Sequence, residues 1–221
     1  RLLNNEPIEY VINQATFLGN KLYVDKNVLI PRMETAELVA NITETIMDYY
    51  DPRNYLVCAD IGTGSGAIAI ALKKCFPNWV MLASDISKEA LEVAKTNFVS
   101  TASRVQVFEG DGLKPYIDNN ICLDILVSNP PYILNKDEVQ DSVKDYEPEL
   151  ALYLDKQHSL YEDIFKNYKK VKKESLLMFF EIGYDLVPYL TELMEKYLED
   201  YEFKFIKDLN GLERFLIINC R

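Results

Sequence analysis

Apolar and polar positions alternate along this chain with two different periods. Glu34 to Tyr50 carries apolar residues at helical spacing, with Leu38, Val39, Ile42, Ile46 and Met47 on one stripe. Glu34 and Glu37 in its first turn suit the positive end of a helix dipole. From Tyr55 onward short apolar runs take over. Tyr55–Ile61, Trp79–Ser84, Val105–Phe108, Leu123–Val127 and Leu176–Phe180 read as buried strands. Between them the spacing predicts helices over Ser65–Cys75, Lys88–Val99 and 158–172, and a further helix over Leu186–Leu198. The chain closes with two strands, Glu202–Ile206 and Phe215–Asn219, linked by a turn at Asn210–Gly211. Ahead of all this, Phe17–Val24 reads as a hairpin with Gly19–Asn20 as its two-residue turn.

Strands alternating with helices predict a parallel sheet covered on both faces. The final pair has too short a link for a crossover, so it must run antiparallel. The fold class is therefore α/β, a mostly parallel sheet preceded by a small β-hairpin. The chain has 221 residues, 48% of them hydrophobic, enough for one α/β domain with a short appendage.

A formal net charge of −11 argues against binding a phosphate backbone and favours a basic protein partner. No direct nucleic-acid partner is expected. The run Lys169, Lys170, Lys172 and Lys173 reads as one solvated helix end. Four scattered cysteines with a single histidine do not make a metal site and read as thiols in a reducing compartment. No apolar run approaches the roughly 18 residues a bilayer span needs. A cytoplasmic, monomeric protein without a membrane or metal partner is the expectation. His158, the one histidine, reads as an exposed residue at a helix start rather than a general base.

The first strand runs into Asp60-Ile61-Gly62-Thr63-Gly64-Ser65-Gly66-Ala67, and a helix follows. Glycines there permit a sharp turn and close approach of a ligand, and the helix start offers free N–H groups. Asp85 ends the second strand, 23 residues after Gly62, where a carboxylate can accept both hydroxyls of a ribose. Gly62, Gly64 and Ala67 equally satisfy a relaxed dinucleotide pattern, so an NAD-binding domain remains open at this point, as does a tight turn with no ligand. Asp111, within Gly110-Asp111-Gly112 after the third strand, is placed to face an adenine amine, or simply forms a turn.

The fourth strand is followed directly by Ser128-Asn129-Pro130-Pro131-Tyr132. This lies at the carboxyl edge of the sheet, where open α/β sheets bind ligands. Pro130 and Pro131 remove two backbone donors, leaving carbonyls; Asn129 adds a side-chain acceptor and Tyr132 a flat face. Such a loop suits an NH₂ group on a planar system, the bland alternative being a rigid proline turn.

With these segments the chain resembles class I S-adenosylmethionine-dependent methyltransferases, and within them the HemK-type family that methylates the glutamine of peptide chain release factors. Asn129-Pro130-Pro131-Tyr132 matches the loop shared by enzymes that methylate planar amino or amide nitrogens. Glu6-Pro7-Ile8-Glu9-Tyr10, Pro31-Arg32-Met33-Glu34-Thr35, Tyr146-Glu147-Pro148, Glu181-Ile182-Gly183 and Asp208-x-x-Gly211-x-x-Arg214 fit the family as well, in order over nearly the whole chain. The resemblance implies a Rossmann-like seven-stranded sheet with its last strand antiparallel and helices on both faces. It implies S-adenosylmethionine, leaving as S-adenosylhomocysteine, held by Gly62, Thr63, Gly64, Ser65, Gly66, Asp85, Ile86, Asp111, Gly112 and Asn129. Catalysis would fall to Asn129, Pro130, Pro131 and Tyr132, with Arg32, Glu34 and Thr35 joining them in binding the substrate. The Gly-Gly-Gln glutamine of a release factor is the implied acceptor; the alternatives are a ribosomal-protein glutamine or an adenine or guanine amine.

On this reading residues 1–33 are a hairpin lead-in from an N-terminal helical domain that the chain lacks, and 34–221 the catalytic domain. Three positions depart from the family pattern: Lys156-Gln157-His158-Ser159-Leu160 where a Gly-x-Asp-Gly-Leu segment is usual, Leu186 where a glutamine is frequent, and Gly112 where a larger residue often stands.

Overall fold

A lead-in of short elements opens the computed structural model, which describes residues 1–51, 53–135 and 140–221. Helix α1 (Ile8–Ile12) is followed by strands β1 (Ala15–Phe17) and β2 (Asn20–Leu22) in an antiparallel hairpin. The turn is Leu18–Gly19, one residue earlier than the sequence predicts. Both residues take positive φ, 44° and 76°, as the twist of a two-residue hairpin demands. Asn20 belongs to β2 instead, and its buried side-chain amide donates to the carbonyls of Phe17 and Leu18, each at 3.2 Å. It closes the turn from outside rather than forming it.

The main body alternates as expected: α2 (Met33–Tyr49), β3 (Val57–Ile61), α3 (Ala67–Cys75), β4 (Val80–Asp85), α4 (Lys88–Ser100), β5 (Val105–Glu109), α5 (Lys114–Asp118) and β6 (Leu123–Ser128). Two short helices, α6 (Asp141–Tyr146) and α7 (Glu149–Leu152), precede α8 (Leu160–Asn167), β7 (Lys172–Glu181), α9 (Val187–Tyr197), β8 (Tyr201–Lys207) and β9 (Glu213–Cys220). Helix α3 begins two residues later than the periodicity predicts because Gly66, at φ 80°, cannot be helical. Helix α8 is shorter than the predicted 158–172. Ser159 caps its start, accepting from Glu162 N–H at 3.4 Å, and a 3₁₀ turn over Tyr168–Lys170 ends it.

All seven long strands join one sheet in the order β5-β4-β3-β6-β7-β9-β8. Strands β3 to β7 pair parallel; β9 runs antiparallel to both neighbours, inserted between β7 and β8. The alternation along each strand divides the core. Cys58, Val127, Phe179 and Ile217 face α2 and α3, against Leu38, Ile42 and Ile70. Ala59, Leu126, Phe180 and Leu216 face α8 and α9, against Tyr161, Phe165 and Leu190. With both faces buried, Phe179 and Phe180 are each fully inaccessible, and each contributes roughly 2–3 kcal/mol of burial. The lead-in packs on this body: Phe17 and Leu22 join the α2–α3 layer, while Tyr10, Val24 and Val28 meet Ala90 and Val93 of α4.

The chain winds outward through β3, β4 and β5, then returns to β6. The sheet therefore has a switch point between β3 and β6, with the loops after β3, β4, β5 and β6 along one edge. No described helix is long and apolar enough to cross a membrane.

Candidate active site

The loop leaving β3 is held by its neighbour strand. Gly62 and Thr63 both donate their N–H to the carbonyl of Ser84, at 2.9 Å each. Gly66 has no room for a side chain: a Cβ there would lie 2.6 Å from the Phe98 ring. Gly64 is the reverse case, with positive φ and nothing within 4 Å of a Cβ position, so the backbone itself faces open space.

Asp60, one residue before the end of β3, braces this loop from inside. Its Oδ2 accepts the Thr63 hydroxyl at 2.6 Å and the Ala69 N–H at 3.2 Å. Its Oδ1 is buried with no hydrogen-bond partner among the described residues. Complete burial pushes its pKa up to about 7, against the two hydrogen bonds that favour the charged form. In the sequence Asp60 is only the penultimate residue of a strand and carries no site motif of its own. The available signal was an acid inside the apolar run Val57–Ile61, which demands a local partner.

Asp85 ends β4 with both carboxylate oxygens turned to backbone. Oδ2 accepts Gly64 N–H and Oδ1 accepts Ser87 N–H, each at 2.9 Å. Burial raises its pKa, opposed by the backbone bonds from Ser87, Gly64 and Ile86. With about four lone-pair sites on a carboxylate, these three backbone bonds leave room for a ligand hydroxyl. Asp111 is exposed beyond β5, and Gly112 sits at φ 49° beneath Asp163 of α8.

Asn129 follows β6, and a chain of hydrogen bonds leads from it into the core. Its Nδ2 donates to Thr35 Oγ1 at 3.3 Å. Thr35 donates to Glu181 Oε2 at 2.7 Å, and Tyr132 donates to Glu181 Oε1 at 3.2 Å. Burial raises Glu181 to about 6, with Thr35, Tyr132 and Arg214 opposing. The Tyr132 ring is covered by the Arg214 guanidinium, 5.6 Å from its centroid.

These loops enclose a cavity of about 360 Å³. Gly62, Thr63, Gly64, Ser65, Asp85, Ile86, Asp111, Gly112, Thr35, Asn129, Pro130 and Pro131 all line it. Gly66, Tyr132, Arg32 and Glu34 do not. Gly66 is turned to Phe98, and Tyr132 to Glu181 and Arg214. Arg32 pairs instead with Glu147, which also accepts Ile30 N–H at 3.3 Å. The rest of the lining includes residues from stretches that carry no site motif: Asn27, Val28, Leu29, Leu150, Ala151, Tyr153, Leu154 and Asp155, together with His158. His158 is exposed and meets Asp155 at 2.9 Å. Nothing in their local pattern marks these residues, because only the folded chain brings them to the cavity.

A methyltransferase small domain family model matches residues 38–175. The chain is 36% identical over 220 residues to the release factor glutamine methyltransferase of Enterococcus faecalis, covering 98% of this chain and 77% of the relative. It is 38% identical to the Staphylococcus aureus protein of the same name, with the same coverage. The chain belongs to the release factor glutamine methyltransferase family.

Solved structures agree on the fold. A methyltransferase from Pyrococcus furiosus superposes with TM-score 0.58 at 17% identity, covering 99% of this chain and 94% of its own. The human methyltransferase 10 domain containing protein gives 0.59 at 17%, covering 91% and 90%.

The cavity of this family member fits S-adenosylmethionine on three observations. The backbone at Gly64 is open where a Cβ would intrude, Asp85 lines the wall with acceptor capacity left for a hydroxyl, and the volume lies in the usual ligand range. Gly112 is explained by the same packing: a Cβ on it would meet Asp163 Oδ2 at 2.2 Å, so a larger residue there would have to displace the Asp163 carboxylate.

Proposed function

We propose that this chain transfers the methyl group of S-adenosylmethionine to the side-chain amide nitrogen of the Gly-Gly-Gln glutamine of a peptide chain release factor. It is a protein-glutamine methyltransferase, and the release factor is its protein partner. The observation that carries the site assignment is Asn129. It lines the donor cavity with its amide nitrogen already turned to Thr35, which leaves Oδ1 for an incoming NH₂.

The bound donor supplies a sulfonium-activated methyl group. The residues supply aim. A carboxamide nitrogen is a weak nucleophile because its lone pair is delocalised into the carbonyl. Acceptors on its two N–H bonds favour the positive charge that develops as the nitrogen–methyl bond forms and the methyl–sulfur bond breaks, and they fix the direction of the lone pair; the methylated nitrogen then gives one of its two protons to water. Asn129 Oδ1 and the carbonyls of the Pro130–Pro131 segment are the acceptors in our reading. Gly62 to Ser65, with Asp85, Ile86, Asp111 and Gly112, hold the donor, Gly66 shapes their loop against Phe98, and Thr35 acts behind Asn129. The cytoplasm, where a release factor is met, is the proposed location.

The test is incubation with a release factor and labelled S-adenosylmethionine, read by mass spectrometry. One added methyl on the Gly-Gly-Gln glutamine is expected, and Asn129→Ala abolishes it while donor binding persists in part. Methylation elsewhere, or full turnover by the variant, overturns the reading.

A further inference from the structure

Glu181 ends β7 beside Ser128 and Asn129, because Ser128 pairs with Phe180 across β6 and β7. It is fully buried, and each oxygen receives one hydroxyl. An ionised carboxylate can only accept hydrogen bonds. Thr35 must therefore donate its single proton to Glu181, at 2.7 Å. Toward Asn129, 3.3 Å away, Thr35 is left with a lone pair and can only accept. The Asn129 amide must then turn its NH₂ to Thr35 and its oxygen to the cavity. We infer that Glu181 is a positioning residue which, through Thr35, locks the Asn129 amide in the one orientation that accepts an NH₂ donor and turns away a carbonyl. This deepens the function proposed above and rests on it.

Without the lock, Asn129 gains a second orientation with its NH₂ toward the cavity. Two NH₂ groups then face each other, and the substrate amide loses its acceptor. Protonation of Glu181 opens the same route, since a carboxylic acid can donate to Thr35 and release the Thr35 proton toward Asn129. The groups around Glu181 are Thr35 and Glu34 from α2, Tyr132 after β6, Tyr161 from α8 and Arg214 from β9. Arg214 favours the ionised form and Glu34 opposes it.

The experiment compares wild type, Thr35→Val and Thr35→Ser with a release factor as acceptor. Valine keeps the shape of threonine without its hydroxyl; serine keeps the hydroxyl. We expect Thr35→Val to lower kcat by about tenfold or more, the scale of one ordered hydrogen bond, with donor Kd by calorimetry unchanged. Thr35→Ser should recover most of the loss. Wild-type kcat should fall on the acid side of about pH 6, and Thr35→Val should lack that limb. If Thr35→Val does not fold, Thr35→Ala takes its place with the same expectations. A variant with wild-type kcat, or one losing donor affinity in step with kcat, overturns the lock. If wild type itself leaves the glutamine unmethylated, the functional reading fails rather than the lock alone.

Discussion

Gly112 lies directly beneath Asp163, so close that a methyl on it would sit 2.2 Å from the carboxylate Oδ2. The same carboxylate accepts the N–H of Leu113 at 3.3 Å. Gly112 also has φ 49°, a region costly for any residue with a Cβ. Gly112→Ala should destabilise the protein by about 1–3 kcal/mol. It should also weaken donor binding, because Gly112 lines the cavity. Urea unfolding and calorimetric titration with S-adenosylmethionine measure the two effects, and an alanine variant as stable as wild type contradicts the packing argument.

Gly64 and Gly66 separate binding from stability. Both have positive φ, so either alanine carries about 1 kcal/mol of backbone strain. Beyond that, Gly66→Ala drives a methyl into Phe98, and its larger effect should appear in the melting temperature. Gly64→Ala points its methyl into empty space at the cavity wall, so its larger effect should appear in donor affinity. Thermal melts without donor, set beside titrations with it, should rank the two variants in opposite orders.

Asp60 makes stability depend on pH. Burial raises its folded pKa from 3.8 to about 7. Between those values the folded state keeps a proton that the unfolded state has released. Stability contributed by this group is thus full at low pH and declines as pH rises through that window. Asp60→Asn removes the titration. Denaturant unfolding of the unliganded protein at pH 5 and pH 8 should show a smaller difference between the two pH values in the variant. An unchanged difference would place the titration elsewhere.

Arg32 and Glu147 form an ion pair whose carboxylate is buried and whose guanidinium is partly exposed. Burial raises the Glu147 pKa, and Arg32 works against that. Arg32→Ala strands the carboxylate and should cost about 1–3 kcal/mol. Adding Glu147→Gln should return part of the loss, because a neutral amide is cheaper to bury unpaired than a charge. A double-mutant cycle in urea gives the coupling; simple additivity would show that the pair contributes nothing.

The alternation of apolar runs determined the α/β class and the buried sheet, because strands buried on both faces must be apolar nearly throughout. It also determined the glycine loop and the Asn129 loop as the chemistry at the sheet's edge, since turn-forming residues leave their mark locally. The antiparallel end followed from a link too short for a crossover. The insertion of β9 between β7 and β8 was not legible, because neighbour choice depends on which edge remains open. Polar Lys172–Ser175 hid the first residues of β7 in the same way: Lys172 is in the strand through its pairing with Leu123 rather than through an apolar pattern.

The tertiary structure alone decided which candidates share the cavity. Tyr132, next to Asn129 in the same motif, turns inward to Glu181, whereas Thr35, 94 residues from Asn129 in the chain, lines the wall beside it. Leu29 and Tyr153 line the same cavity with no motif of their own. The physical reason is that a backbone turn is specified by its own few residues. Side-chain orientation is specified by the partners that long-range packing delivers, and no window of local sequence contains them.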